Sequence, residues 1–295
     1  MNSKITGFLI AGLGAAAFGL NPFFALPLYQ NGYAPSTVLF FRFIFAALML
    51  AVYIKCRKGE LLPKRKEIPV LLGSGLLMAC SSYSLFEGYL YMDSGIVSTI
   101  LFIYPVAVAV IMTAFFKEKL TFKIAVSIIL SIAGVVVLSR SESKLPFSYF
   151  GLLLAILSGL FYAFYIVAVR VTSLRDMPAE KISFHTILLS ALFFLFLAIK
   201  SGKFQLLSTP FEWGCVLGLG LFPSVIALAF TAEAIKKIGA TNAAIFGALE
   251  PVVAVLCGVI CFGEKLTVNI ISGVILVITG VILVILRSPT EKTSV

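Results

Sequence analysis

Long apolar stretches separated by short polar segments make up nearly the whole chain. They run from Ile5 to Leu28, Ser36 to Ile54, Ile68 to Tyr89, Ser94 to Phe116, Phe122 to Leu138, Ser148 to Val169, Ile182 to Ile199, Phe211 to Ile235, Ala240 to Phe262 and Thr267 to Leu286. Each is 17 to 25 residues long, and a helix needs about 17–25 to cross the hydrocarbon core. Transmembrane strands would show runs of about 10 with alternating polarity. The pattern therefore predicts ten transmembrane helices, and the short connectors leave no room for an extramembrane domain. Lys4 followed by the alanines at 15–17 imitates a secretory leader. The apolar run continues well beyond the 7–15 residues of a signal core, so it is read as the first span.

Composition agrees. Of 295 residues, 60% are hydrophobic and 12% charged, where soluble domains average about 25% charged. The net charge of +10 comes from cations that punctuate the apolar runs, so it reports topology and not a nucleic-acid surface. With the N-terminus in the cytoplasm, 17 Lys and Arg fall on the cytoplasmic side and 5 on the other, and Arg42 lies within a span. That count predicts a multi-pass protein of the cytoplasmic (inner) membrane with both termini cytoplasmic. Cys56, Cys80, Cys215, Cys257 and Cys261 show no disulfide or C-x-x-C spacing, and four of them read as small apolar residues.

The chain also repeats itself. At a shift of 146, Glu87 falls on Glu233, Pro105 on Pro251, Glu118-Lys119-Leu120-Thr121 on Glu264-Lys265-Leu266-Thr267, and Gly134 on Gly280. At 143 to 144, Gly7 falls on Gly151, Pro35 on Pro178, Phe41 on Phe184 and Arg42 on His185. Two copies of five spans, 1–140 and 141–295, must enter the membrane from opposite sides, because five is odd. The expected fold is an all-α membrane protein with ten transmembrane helices in two inverted five-helix repeats, an architecture of secondary transporters with cargo near the midplane.

Ionisable and polar groups inside spans are the candidate machinery, because each needs a partner or a wet cavity. Arg42 lies roughly 10 Å into its helix at 1.5 Å per residue; it is either a counter-charge for a cargo or internal acid, or a packing arginine. Glu250, before Pro251, is either a proton- or cation-binding carboxylate or a structural acid. Pro251 frees a carbonyl near Gly247. Tyr83 and Glu87 share a face with Cys80 and Ser84 and suit an outer vestibule, whereas Glu233 and Lys237 form an ordinary i,i+4 pair. Asn242, Phe246 and Glu250 share a face of the ninth span; Ser158, Tyr162 and Tyr165 share one of the sixth. Asn21 takes the repeat position of Tyr165, and Tyr104, next to Pro105, joins the set. The substrate-contacting candidates are thus Asn21, Arg42, Tyr83, Glu87, Tyr104, Tyr162, Tyr165, Asn242, Phe246 and Glu250, with Pro105 and Pro251 as paired hinges. His185 is read as structural. Gly214 and Gly218 are spaced for close helix packing.

Phe41-Arg42-Phe43, Leu249-Glu250-Pro251-Val252 and Gly263-Glu264-Lys265-Leu266, in that order over ten spans, resemble the EamA-type transporters of the drug/metabolite transporter superfamily. The resemblance implies a secondary carrier whose central cavity is lined by helices one to four and six to nine, with the fifth and tenth outside. Such carriers move amino acids, choline-like cations, relatives of nucleotide sugars and other metabolites. The expected function is secondary active transport by alternating access of a small polar or amphiphilic metabolite, amino-acid-like as a first guess. A proton is the candidate coupling ion and a homodimer a compatible assembly; no cofactor, metal or nucleic acid is expected. A passive facilitator or channel is the alternative. A polytopic enzyme ranks behind it, since one histidine rules out H-E-x-x-H and neither G-x-S-x-G nor a Walker motif occurs.

Overall fold

The computed structural model describes residues 3–92, 94–117, 121–138, 148–250, 252–253, 256 and 268–285, and every regular element among them is helical. The first run is two helices, α1 (Ser3–Phe18) and α2 (Asn21–Gln30). α3 (Pro35–Cys56) is continuous, and a 3-10 turn, Arg65–Glu67, leads into α4 (Ile68–Gly88). The fourth run divides into α5 (Ser94–Leu101) and α6 (Tyr104–Phe116). α7 (Phe122–Leu138), α8 (Tyr149–Val171) and α9 (Ala179–Lys200) follow. The eighth run is α10 (Pro210–Gly220), a π-helical turn (Leu221–Ile226) and α11 (Ala227–Ile238). α12 (Ala240–Phe246) and α13 (Val268–Ile285) complete the set.

Among the described residues, six helical stretches are long and apolar enough to cross a bilayer: 5–30, 35–56, 65–88, 149–171, 179–200 and 210–238. Tyr104–Phe116, Phe122–Gly134 and Ile271–Gly280 are apolar and shorter. The described residues thus show six clear spans and three shorter apolar helices against the ten spans expected, and several of the expected runs are divided. The ninth run lies partly outside the described residues, as do Pro251, Lys119 and Lys265.

The interruptions have one physical cause. Proline lacks the N–H that would bond the carbonyl four residues earlier, and its ring crowds that carbonyl. α1 ends at Phe18, four before Pro22, and α5 ends at Leu101, four before Pro105. In the eighth run Pro223 leaves the Leu219 carbonyl without its helical partner, and the Ser224 hydroxyl donates to it instead at 2.9 Å. The helix survives there by widening into a π turn. α12 ends at Phe246, just before Gly247, the residue four before Pro251.

Helices pair across the two halves: α3 with α9, α4 with α8, α1 with α11, α6 with α12 and α7 with α13. Polar contacts knit some of these seams. Ser158 Oγ donates to the Ser81 carbonyl at 2.7 Å, and Ser81 Oγ returns a bond to the Ser158 carbonyl at 3.0 Å. α7 packs chiefly on α13. Of the two glycines read as a packing pair, Gly218 lies against the Phe24 ring while Gly214 faces open space, so only one of them makes the expected contact. Large apolar side chains such as Leu13, Val52, Ile129 and Phe196 stand exposed on the outside, the belt that lipid would cover.

Candidate functional site

All four interrupted runs border one cavity of about 10 Å³, room for about one water. Phe18 comes from the end of α1, Tyr104 from the start of α6, and Gly247 and Glu250 from the stretch after α12. Tyr162 and Ile166 of α8 and Thr231 of α11 close the sides, and alanines from α1, α11 and α12 fill the rest. Backbones meet closely here. A Cβ at Gly19, in the α1–α2 break, would lie 2.5 Å from the Glu250 carbonyl oxygen, and one at Gly247 would collide with the Tyr104 hydroxyl. Only glycine lets these broken helices approach so near.

Among the described residues, Glu250 is the only charged one on the cavity wall, and no ion pair reaches it. Tyr104 and Tyr162 cross edge to face with centroids 5.0 Å apart, Phe18 meets Tyr162 at 5.8 Å, and Tyr165 stacks on Tyr162 at 6.1 Å. The Tyr162 hydroxyl lies against Thr231. Tyr165 is fully buried beside Thr186, yet its hydroxyl makes no hydrogen bond of good geometry.

Arg42 is buried away from this wall. Its Nε donates to Ser224 Oγ at 2.7 Å and its Nη2 to the Pro223 carbonyl at 3.1 Å, while Phe43 and Phe86 flank the guanidinium at 4.9 and 5.2 Å. It therefore clamps the π turn that Pro223 creates. Arg42 and Glu250 sit within electrostatic reach of one another without forming an ion pair.

The other candidates scatter around this centre. Asn21 is buried at the first position of α2, and among the described residues both atoms of its amide lack partners. Asn242 Nδ2 donates to the Ile238 carbonyl at 2.7 Å, and its Oδ1 has no partner among them. Phe246 stacks on Phe8 of α1 at 5.4 Å and is not part of the cavity wall. Tyr83 and Glu87 lie together, partly exposed, on the last turns of α4. Pro105 is buried at the second position of α6, and Pro251 lies outside the described residues. Glu233 and Lys237 form an ion pair at 3.1 Å. His185 Nδ1 lies 2.9 Å from the Lys181 carbonyl, its hydrogen-bond partner.

Sequence reasoning missed Thr231, Phe18 and Ile166 on the wall and the Ser224–Pro223 cradle of Arg42. Pro223, inside an apolar run, was the available signal for the cradle. The wall residues depend on which helices meet, which periodicity does not encode.

A model of the EamA-like transporter family matches residues 5–140 and again 149–286. An uncharacterized transporter of Archaeoglobus fulgidus is 26% identical over 284 residues, covering 94% of this chain and 98% of that protein. The uncharacterized transporter YvbV of Bacillus subtilis is 26% identical over 277 residues, covering 91% and 89%. One solved crystal structure superposes with a TM-score of 0.78 over 97% of this chain and 98% of the other at 17% identity, a likeness of fold alone. With two copies of the family's repeat filling nearly its whole length, the chain belongs to the EamA-like transporter family.

Proposed function

We propose that this protein is a secondary transporter that carries a small organic metabolite through the cavity at Glu250 by alternating access. The observation that carries the reading is the convergence of proline-broken helices on one buried acid. Irregular backbone at membrane depth is tolerated where it lines a cavity, and discontinuous helices mark binding sites in transporters. Two five-helix repeats, 1–140 and 141–295, of opposite orientation in the cytoplasmic membrane account for the helix pairing. Exchanging the first half's runs with the second's turns the α1–α11 pair into the α8–α4 pair and leaves the α3–α9, α6–α12 and α7–α13 pairs unchanged. A two-fold axis between the halves would produce this set. Both termini then face the cytoplasm.

In this reading Glu250 meets the cargo or the coupling proton, and Tyr104, Tyr162 and Tyr165 shape the site around it. Asn21 and Asn242 hold spare hydrogen-bonding capacity beside the breaks. Tyr83 and Glu87 belong to a vestibule. Arg42 acts at one remove, by holding the π turn and adding positive potential. Pro105 and Pro251 set the bends where helices move.

Counterflow in liposomes tests this. A carrier shows saturation and trans-stimulation that Glu250→Gln abolishes together with any pH dependence. Linear, unsaturable flux would mean a pore, and unchanged kinetics in Glu250→Gln would remove the acid from the mechanism.

A further inference from the structure

We propose that the open cleft where α6 and α8 end holds the headgroup of an anionic phospholipid, with its phosphodiester on Arg170 and Arg175 and its acyl chains along Phe116 and Val171. Such a site requires the bilayer placement proposed above and is independent of the cargo. The cleft measures about 670 Å³ and is separate from the Glu250 cavity. Its depth suits a headgroup. α6 and α8 lie side by side and pass the Glu250 cavity at Tyr104 and Tyr162, whose rings are 5.0 Å apart. From there Val171 is nine residues along α8 and Phe116 twelve along α6, about 14 and 18 Å at 1.5 Å per residue. Half of a hydrocarbon core is about 15 Å. With the Glu250 cavity near the midplane, the cleft opens at the boundary between acyl chains and water.

Its two arginines are uncommitted. Cations near a helix C-terminus often bond the last carbonyls, but here Thr172 does so, its N–H and its hydroxyl both donating to the Ala168 carbonyl, at 3.1 and 2.7 Å. Among the described residues neither guanidinium forms an ion pair, even with Asp176 on the same wall. Lys236, held on the Met177 carbonyl, is within electrostatic reach of Asp176 and Glu180, and the exposed Lys117 follows Phe116 at the end of α6. The cleft thus has positive charge to spare. A guanidinium fork binds phosphate oxygens two at a time, and Ser173 adds a hydroxyl. The other wall is apolar. Met112 is buried behind it, while Phe116 and Val171 are 45% and 38% exposed on the lipid side. Val171 continues through Ala168 to the exposed Phe164 on one face of α8, a line that an acyl chain can follow toward the midplane. A free phosphate would use the arginines alone; a lipid uses both walls. Basic pockets between helices on the cytoplasmic side suit anionic headgroups, and the cation count of the sequence predicts that this end is cytoplasmic.

Lipid binding to the purified full chain in an uncharged detergent tests the site, read as a dissociation constant and as a shift in melting temperature. Phosphatidylglycerol should bind at least tenfold tighter than phosphatidylcholine or phosphatidylethanolamine, and water-soluble glycerol phosphate should not bind at matched concentration. Arg170→Gln combined with Arg175→Gln should lose at least tenfold of the phosphatidylglycerol affinity. Lys55→Gln combined with Arg57→Gln removes the same charge at the end of α3 and should lose less than twofold. Arg175→Gln alone, on an exposed turn, should lose at least threefold and carries the test if the double variant fails to fold. Equal losses in the two double variants, an uncharged-headgroup lipid binding as tightly, or no binding of phosphatidylglycerol would each overturn the assignment. Glycerol phosphate binding as tightly as the lipid would make the cleft a site for a soluble phosphate and overturn the lipid.

Discussion

Glu212 and Glu250 are buried almost equally, 4% and 8% exposed, yet their surroundings are opposite. Glu212 accepts from Asn31 Nδ2 at 2.9 Å, Tyr33 Oη at 3.0 Å, and the Ser208 and Thr209 N–H groups at 2.8 and 2.9 Å. Glu250 has no ion-pair partner among the described residues and faces a cavity. Four donors from both halves of the chain make one acid a fastener; the other borders a cavity instead. At the far end of α3, Glu67 plays a part like that of Glu212. It accepts from the Lys64 N–H at 2.8 Å and pairs with Lys181 of the second half at 3.7 Å. Glu67 and Glu212 are 145 residues apart, within the shift that relates the two halves, and each accepts from the backbone N–H three residues earlier, Glu212 as the third residue of a full capping box with Thr209. Tyr33 precedes α3 and Glu67 follows it, so the fasteners are separated by about 33 Å of helix at 1.5 Å per residue.

Removing a fastener should have the largest effect on stability. Glu212→Ala takes the shared acceptor from a buried phenol, an amide and two backbone N–H groups at once, and a donor left without its acceptor costs more than the bond itself is worth. A fall in melting temperature of the solubilised protein, smaller for Glu212→Gln, would bear this out. An unchanged melting temperature would mean that these bonds hold nothing together.

This contrast was only partly legible in the chain. Apolar runs are long-wavelength signals, so the helices could be located from them, and Arg42 and Glu250 stood out because a charge inside such a run is rare. Pro105 and Pro251 marked two of the four breaks. Glu212 was not singled out, because its partners, Asn31 and Tyr33, lie 181 and 179 residues away, and periodicity carries no information at that range. The local Thr209-x-x-Glu212 capping box was nevertheless readable. Phe246 shared a helical face with Glu250 on paper. The turn at Gly247 and Ala248 ends that register, and Phe246 faces α1 instead.

At the centre the expected effects are smaller and of a different kind. Gly247→Ala places a methyl group against the Tyr104 hydroxyl; overpacking of this sort costs about 1–3 kcal/mol. Because the two residues touch, the substitution combined with Tyr104→Ala should be less damaging than the sum of the single changes by at least about 0.5 kcal/mol. Strict additivity in unfolding measurements would show that the contact does not constrain the break. Lys181→Met should cost about 1–2 kcal/mol, less than Glu212→Ala, since Glu67 keeps its bond to the Lys64 N–H. An equal loss at both ends would erase the distinction between a carboxylate with one ion-pair partner and one with four donors.

The smallest change in stability is expected at Glu250 itself. Glu250→Gln removes a charge from a dry site without breaking an ion pair, so the melting temperature should stay within the equivalent of about 1 kcal/mol, in line with substitutions that leave no group stranded. The same variant should lose solute exchange. That pairing of outcomes, stability retained and exchange lost, is the reverse of the one expected for a fastener and can be measured on a single protein preparation. If Glu250→Gln unfolded the protein as readily as Glu212→Ala, the central acid would be a third fastener, and the broken helices around it would be a packing solution with no cargo to serve.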